Sequence, residues 1–135
     1  TGIRRGLGKA LSDKYGTVNS LEECDIFINC KHDRFEQVEL LYQAAELDKK
    51  IINIGSHASD YTFLMKYNVE KKALREANHQ LFSDGVKTTC VNFGVIDTES
   101  QKDKDVKKMS LDYVVGVIDW ILQQPHRIKE ITVVE

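Results

Sequence analysis

Apolar runs of β-forming residues alternating with segments of helical periodicity constrain this 135-residue chain more than any other feature. Residues 24–30, "CDIFINC", form the first run; in the segment after it Val38, Leu41, Tyr42 and Ala45 recur at helical spacing. Residues 50–56, "KIINIGS", read as a buried strand, and a helix follows over about residues 62–82 with Ala73, Ala77 and Leu81 on one side. Residues 86–94, "VKTTCVNFG", are again β-rich. Beyond a charged loop, Ser110 can cap a helix carrying the stripe Leu111, Val114, Val115, Ile118 and Leu122, and "EITVVE" reads as a last strand. Strands alternating with helices predict parallel pairing, with helices covering both faces of the sheet. Such sheets bind ligands beyond the carboxyl ends of their strands.

Length and charge narrow the function classes. One domain over residues 1–135 is the simplest reading, and a chain of this size buries about 65–70% of its unfolded surface. The net charge of −2, with both signs interspersed, leaves no basic stripe for nucleic acid. No apolar run approaches the ~20 residues of a membrane span, and no signal peptide is evident, so a soluble, cytoplasmic protein is expected. Cys24, Cys30 and Cys90 have no metal-ligand spacing and suit reduced thiols in that compartment; no metal site is expected.

Three local features carry chemistry. "TGIRRGLG" places Gly2, Gly6 and Gly8 before the helical segment "KALSDKY", where glycines let the backbone approach a pyrophosphate at a helix N-terminus. Such a turn should follow a strand, which either lies outside this sequence or is dispensed with; a flexible glycine-containing segment is the plainer alternative. In "YNVEK", Tyr67 and Lys71 are four residues apart and share a helix face. An ammonium there stabilises phenolate and suits the tyrosine to proton transfer, although a solvated surface pair has the same spacing. Ser56 ends an apolar strand at the same rim, placed either to donate to a substrate carbonyl or simply to cap a turn. His57, beside it, receives no role.

Together these residues resemble the short-chain dehydrogenase/reductase family. "TGIRRGLG" is similar to its Thr-Gly-x-x-x-Gly-x-Gly turn, "DIFINC" to its Asn-Asn-Ala-Gly strand end and "INIGS" to its serine strand. "YNVEK" matches Tyr-x-x-x-Lys, and "VNFGVIDT" resembles Pro-Gly-x-x-x-Thr, all in the family's order. The resemblance implies a Rossmann-like doubly wound parallel sheet in three α/β/α layers, reduced in its first half. It implies an NAD(P)-dependent oxidoreductase that interconverts a carbonyl and an alcohol on a small molecule. Tyr67 would transfer the proton, Lys71 would hold the nicotinamide ribose and lower the tyrosine pKa, and Ser56 would polarise the carbonyl. Gly2, Arg5, Gly6 and Leu7 would line the phosphates and adenosine ribose, Asn29 the adenine side, and Ile96 and Thr98 the carboxamide. Arg5 favours NADP over NAD, although a solvated arginine explains it nearly as well. A homodimer or homotetramer through the helices near residues 35–49 and 62–82 is implied by the same analogy, and a mobile lid or a plain solvated loop over residues 99–109.

The chain also departs from the pattern. Cys30, Lys31 and His32 replace the second asparagine, the alanine and the glycine; Phe93 stands where proline precedes Gly94. "KYGTVNSLEE" is too short for the usual second strand, helix and third strand, and the family's fourth catalytic residue, an asparagine, has no evident counterpart. Three readings therefore compete: an enzyme, a dinucleotide-binding or protein-binding relative without catalysis, and a structural subunit. Turnover of small carbonyls, NADPH fluorescence and the effect of Tyr67→Phe discriminate them.

Overall fold

A computed structural model of the protein describes residues 4–31, 33–61 and 65–135. Its centre is a four-stranded sheet, all parallel, in the order β1 (Ile26–Asn29), β2 (Lys50–Ser56), β3 (Thr88–Phe93), β4 (Glu130–Val133). Among the described residues four α-helices accompany it: α1 (Gly6–Tyr15), α2 (Glu36–Glu46), α3 (Lys66–Ser83) and α4 (Leu111–Leu122). Spatial order equals chain order, so each of α2, α3 and α4 carries the chain from one strand to the next parallel one, as such pairing requires.

The side-chain alternation of β2 and β3 builds the three layers. Ile52, Ile54, Val91 and Phe93 face α1 and α4, meeting Leu7, Leu11, Val114, Ile118 and Ile121. Ile51 faces the other way and packs with Leu41 and Ala44 of α2 and Leu74 and Ala77 of α3. Both central strands are therefore buried almost throughout, whereas β1 and β4, at the edges, are only partly covered. The Rossmann-like α/β expectation holds, with four parallel strands between helices on both faces among the described residues.

The elements largely follow the expected pattern. Lys50–Ser56 is a strand over its whole expected length, and the other strands are trimmed by one or more residues at their ends. Ser110 caps α4, its Oγ accepting the Tyr113 N–H at 3.2 Å, and α4's expected stripe faces the core. Two details differ. Tyr42 lies at the exposed margin of α2, because its hydroxyl bridges to Gln80 Oε1 of α3 instead of entering the core. The third helix is observed from Lys66; residues 62–64, where it was expected to begin, lie outside the described part.

Opposite the larger apolar cluster, the sheet carries a buried polar ladder. Asn29 Nδ2 donates to Asn53 Oδ1, and Asn53 Nδ2 donates to Asn78 Oδ1 and Thr88 Oγ1. Asn78 Nδ2 continues to the Lys129 carbonyl. Side-chain amides fit there because each can both donate and accept, although Asn29 Oδ1 is buried without a partner. The ladder leads to the carboxyl end of the sheet and the candidate site.

Candidate active site

β2 continues three residues beyond Asn53, the partner of β1's last residue Asn29, so the sheet has a step at its carboxyl edge. Ser56 closes β2 in register with Phe93 of β3. Its Oγ accepts the Ala58 N–H at 3.1 Å and caps a 3₁₀ turn, His57–Asp60. The hydroxyl hydrogen remains available to donate, the capacity a carbonyl-polarising serine needs. Asn68 ties this turn to α3, its Nδ2 donating to the Ala58 carbonyl at 2.9 Å. The serine turn and the first turn of the tyrosine helix thus meet at Ala58.

Tyr67 and Lys71 lie one helical turn apart on α3, and Lys71 Nζ is 5.7 Å from the centroid of the Tyr67 ring. The ring is half-buried, while Lys71 is only 4% exposed, which places its ammonium inside the protein beside the phenol. Nζ donates to Gln37 Oε1 at 2.8 Å and to the Ile54 carbonyl at 2.9 Å. Burial lowers the Lys71 pKa to about 8, against the smaller opposing pull of Cys90, Cys30 and Glu70. A lysine whose burial lowers its pKa this far is a mark of functional sites, although structural networks produce it as well. The same burial pushes the Cys90 thiol up to about 12 and raises Cys30.

Gln37, on the first turn of α2, was not identified from sequence. It is 4% exposed; its Nε2 donates to the Asn29 carbonyl at 2.7 Å and the Ile54 carbonyl at 3.1 Å. A glutamine within a charged, amphipathic helix carries no sequence mark of such a role. Its place one turn into the helix after a strand end was the only available signal.

The expected cofactor residues fare differently. Gly2 lies outside the described residues. Gly6 begins α1 with a φ of +49°, and a Cβ there would come within 3.1 Å of Thr98 Cγ2, so the glycine turn and the Thr98 segment do meet. Arg5 is exposed at the N-cap of α1, with no side-chain cap of its own. Leu7, by contrast, sends its side chain into the core, so only its backbone can face a ligand. Ile96 is half-buried and bridges to Met109, holding the Thr98 segment against the fold. Asn29 is fully buried, with Nδ2 donating to the Gln37 carbonyl at 2.8 Å as well as to Asn53. Its side chain supports the strand end from within instead of facing an adenine.

The N-terminus of α1 carries no side-chain cap at Arg5, and a helix N-terminus favours an anion such as a dinucleotide's phosphates. The groove between Gly6 and Thr98 is lined by three carboxylates, Asp13, Asp97 and Glu99, against the one ammonium of Lys9, which pairs with Asp13, so its formal charge is negative and opposes a phosphate. No group of three or more potential metal ligands occurs among the described residues. No helix there is long and apolar enough to cross a membrane.

No protein-family model matches the chain, and no curated protein matches it in sequence. Solved structures do match its fold. An SCOR enzyme from Clostridium thermocellum superposes with a TM-score of 0.63 at 17% identity, over 84% of this chain and 61% of its own length. A short-chain dehydrogenase from Burkholderia cenocepacia, in complex with NADP, gives 0.63 at 16%, over 93% and 65%. A short-chain dehydrogenase/reductase from Serratia marcescens gives 0.65 at 16%, over 93% and 68%. The chain thus spans about two thirds or less of the length of the first two. At these identities the likeness is one of fold: a Rossmann-like α/β sheet of the kind found in short-chain dehydrogenases and reductases.

Proposed function

We propose that this protein is an NAD(P)-dependent oxidoreductase that interconverts a carbonyl and an alcohol on a small molecule, with Tyr67 as proton donor and acceptor. The observation that carries the reading is the buried Lys71 ammonium beside the Tyr67 ring, at the rim where Ser56 ends β2. Arg5, Gly6 and the backbone at Leu7 would hold the phosphates of a dinucleotide, with Thr98 closing over it. When bound, the nicotinamide supplies or accepts the hydride, which no side chain can do. In the reducing direction Ser56 donates a hydrogen bond to the substrate carbonyl oxygen, and Tyr67 gives that oxygen its proton as the carbon is reduced. Lys71 stabilises the phenolate left behind until solvent returns the proton. In the oxidising direction the same residues act in reverse.

The test is a titration with NADPH followed by a panel of small aldehydes and ketones. Tyr67→Phe should lower turnover by about 10²–10⁴-fold, the usual contribution of general acid–base catalysis, while leaving NADPH binding unchanged. Equal turnover by wild type and Tyr67→Phe overturns the reading. Arg5→Ala should weaken NADPH more than NADH if Arg5 meets a 2′-phosphate.

A second reading has its own observation. Two of Lys71's three N–H donors are already directed at Gln37 and Ile54, which suits a dinucleotide-binding relative without catalysis. NADPH binding with no turnover across the panel would favour it. Association into a dimer or tetramer is part of the proposal and is read directly by sedimentation.

A further inference from the structure

β1 ends at Asn29 while β2 runs on to Ser56, and this step leaves the Asn29 and Ile54 carbonyls facing a space that no strand fills among the described residues. Gln37 fills it. Its two Nε2 hydrogens go to those two carbonyls, at 2.7 and 3.1 Å, which fixes the amide's orientation. With the amide so fixed, Oε1 points away from the strand ends, and Lys71 Nζ donates to it at 2.8 Å. Nζ also donates to the Ile54 carbonyl, so Gln37, Ile54 and Lys71 form a closed hydrogen-bonded ring. A glutamine buried to 4% exposure is uncommon, and this one has both its donor hydrogens and its acceptor engaged.

We propose that Gln37 is a positioning residue of the site: its amide, anchored to the stepped strand ends, fixes the place and direction of the Lys71 ammonium beside Tyr67. With two N–H groups held by Gln37 and Ile54, the third is confined to a narrow set of directions. Holding the ammonium with neutral dipoles also matters. A carboxylate in the same place would keep Lys71 charged; an amide orients it and leaves it able to titrate. The other titratable groups around the ammonium are Tyr67 and Glu70 on α3, Cys30 just past β1 and Cys90 on β3. Glu36, next to Gln37, is turned to the surface, where it pairs with Lys31 at 2.7 Å. The part Gln37 plays in turnover rests on the oxidoreductase reading; its hold on Lys71 does not.

The experiment follows the Lys71 side-chain ¹³Cε resonance through a pH titration of the whole protein, in wild type, Gln37→Glu and Gln37→Met. Gln37→Glu should raise the Lys71 midpoint by at least one pH unit, and Gln37→Met should lower it by removing an acceptor from the charged form. Unchanged midpoints in folded variants overturn the proposal. A measurement on the unaltered protein stands if neither variant folds. The Gln37 Nε2–H resonances should be protected from exchange and should titrate with the Lys71 midpoint; exchange as fast as that of a solvent-exposed glutamine, with no response to Lys71, overturns it. In turnover, the pH profile of kcat/KM should move with the Lys71 midpoint in Gln37→Glu. A midpoint that moves without turnover in any variant supports the positioning role and counts against the oxidoreductase reading alone.

Discussion

Lys71 concentrates the physical tension of the site in one residue. Its folded-state pKa of about 8 lies below the unfolded value of 10.5, so between these values the unfolded chain binds a proton that the folded chain lacks. Stability therefore rises with pH through this window as far as Lys71 is concerned, and below about pH 8 its buried charge opposes folding by on the order of 3 kcal/mol. Cys90 works the other way above pH 9, because its thiol is held protonated in the fold. The difference between two proteins isolates the lysine. Urea unfolding of Lys71→Met and wild type from pH 7 to 10.5 should show the stability advantage of the methionine variant shrinking by about 3 kcal/mol as pH rises; a constant difference would contradict the depressed pKa. Part of this site was legible in the sequence, because Tyr67, Lys71 and Ser56 belong to motifs whose spacing reflects a helix turn and a strand end. The contact of Gln37 with Lys71 and the burial of Asn29 were not legible, because both depend on where β1 stops relative to β2. That offset is a property of pairing register, to which no local pattern points.

At the scale of elements, β2 and β3 approach each other where Gly55 lies beside Cys90 and Asn92. A Cβ at Gly55 would come within 2.3 Å of Asn92 Oδ1 and 3.0 Å of Cys90 Sγ. Asn92 cannot readily yield, since it is 1% exposed and its Nδ2 donates to Glu130 Oε1 at 2.6 Å. Gly55→Ala should therefore destabilise by about 1–3 kcal/mol, the usual cost of overpacking, and should disturb the neighbouring Ser56 turn. Thermal unfolding and the amide shifts of residues 56–60 check this. Helix α4 offers a milder case: Ser110→Ala removes the acceptor for the Tyr113 N–H and should cost about 1 kcal/mol. These elements were readable in advance for simple reasons. The central strands appear as runs rich in β-branched and apolar residues with few charges, and α4 pairs an N-cap serine with a long apolar stripe. Tyr42 misled because an aromatic ring at helical spacing looks like core, whereas its hydroxyl is held at the surface by Gln80.

Across the whole molecule the sheet separates two unlike faces, and the site belongs to one of them. The α1/α4 side holds the larger apolar cluster, including Val91, Phe93, Val114 and Ile118. The α2/α3 side holds a small cluster around Leu41, Ile51 and Leu74, and it shares its space with the amide ladder, Gln37 and Lys71. If the buried polar network depends on packing from its own side, equal damage to the two faces should have unequal consequences. Ile118 and Leu74 are both fully buried, so Ile118→Ala and Leu74→Ala should each cost about 2–5 kcal/mol in urea unfolding. Leu74 lies one helical turn from Lys71 on α3, and a cavity there loosens the helix that holds the ammonium against Gln37 and the Ile54 carbonyl. Leu74→Ala should therefore shift the Lys71 titration midpoint toward the ordinary lysine value as water reaches Nζ. Ile118→Ala, across the sheet, should leave that midpoint where it is despite a similar loss of stability. Equal shifts in the two variants would mean that the ammonium responds to global loosening, and that the face carrying the site has no mechanical independence from its opposite.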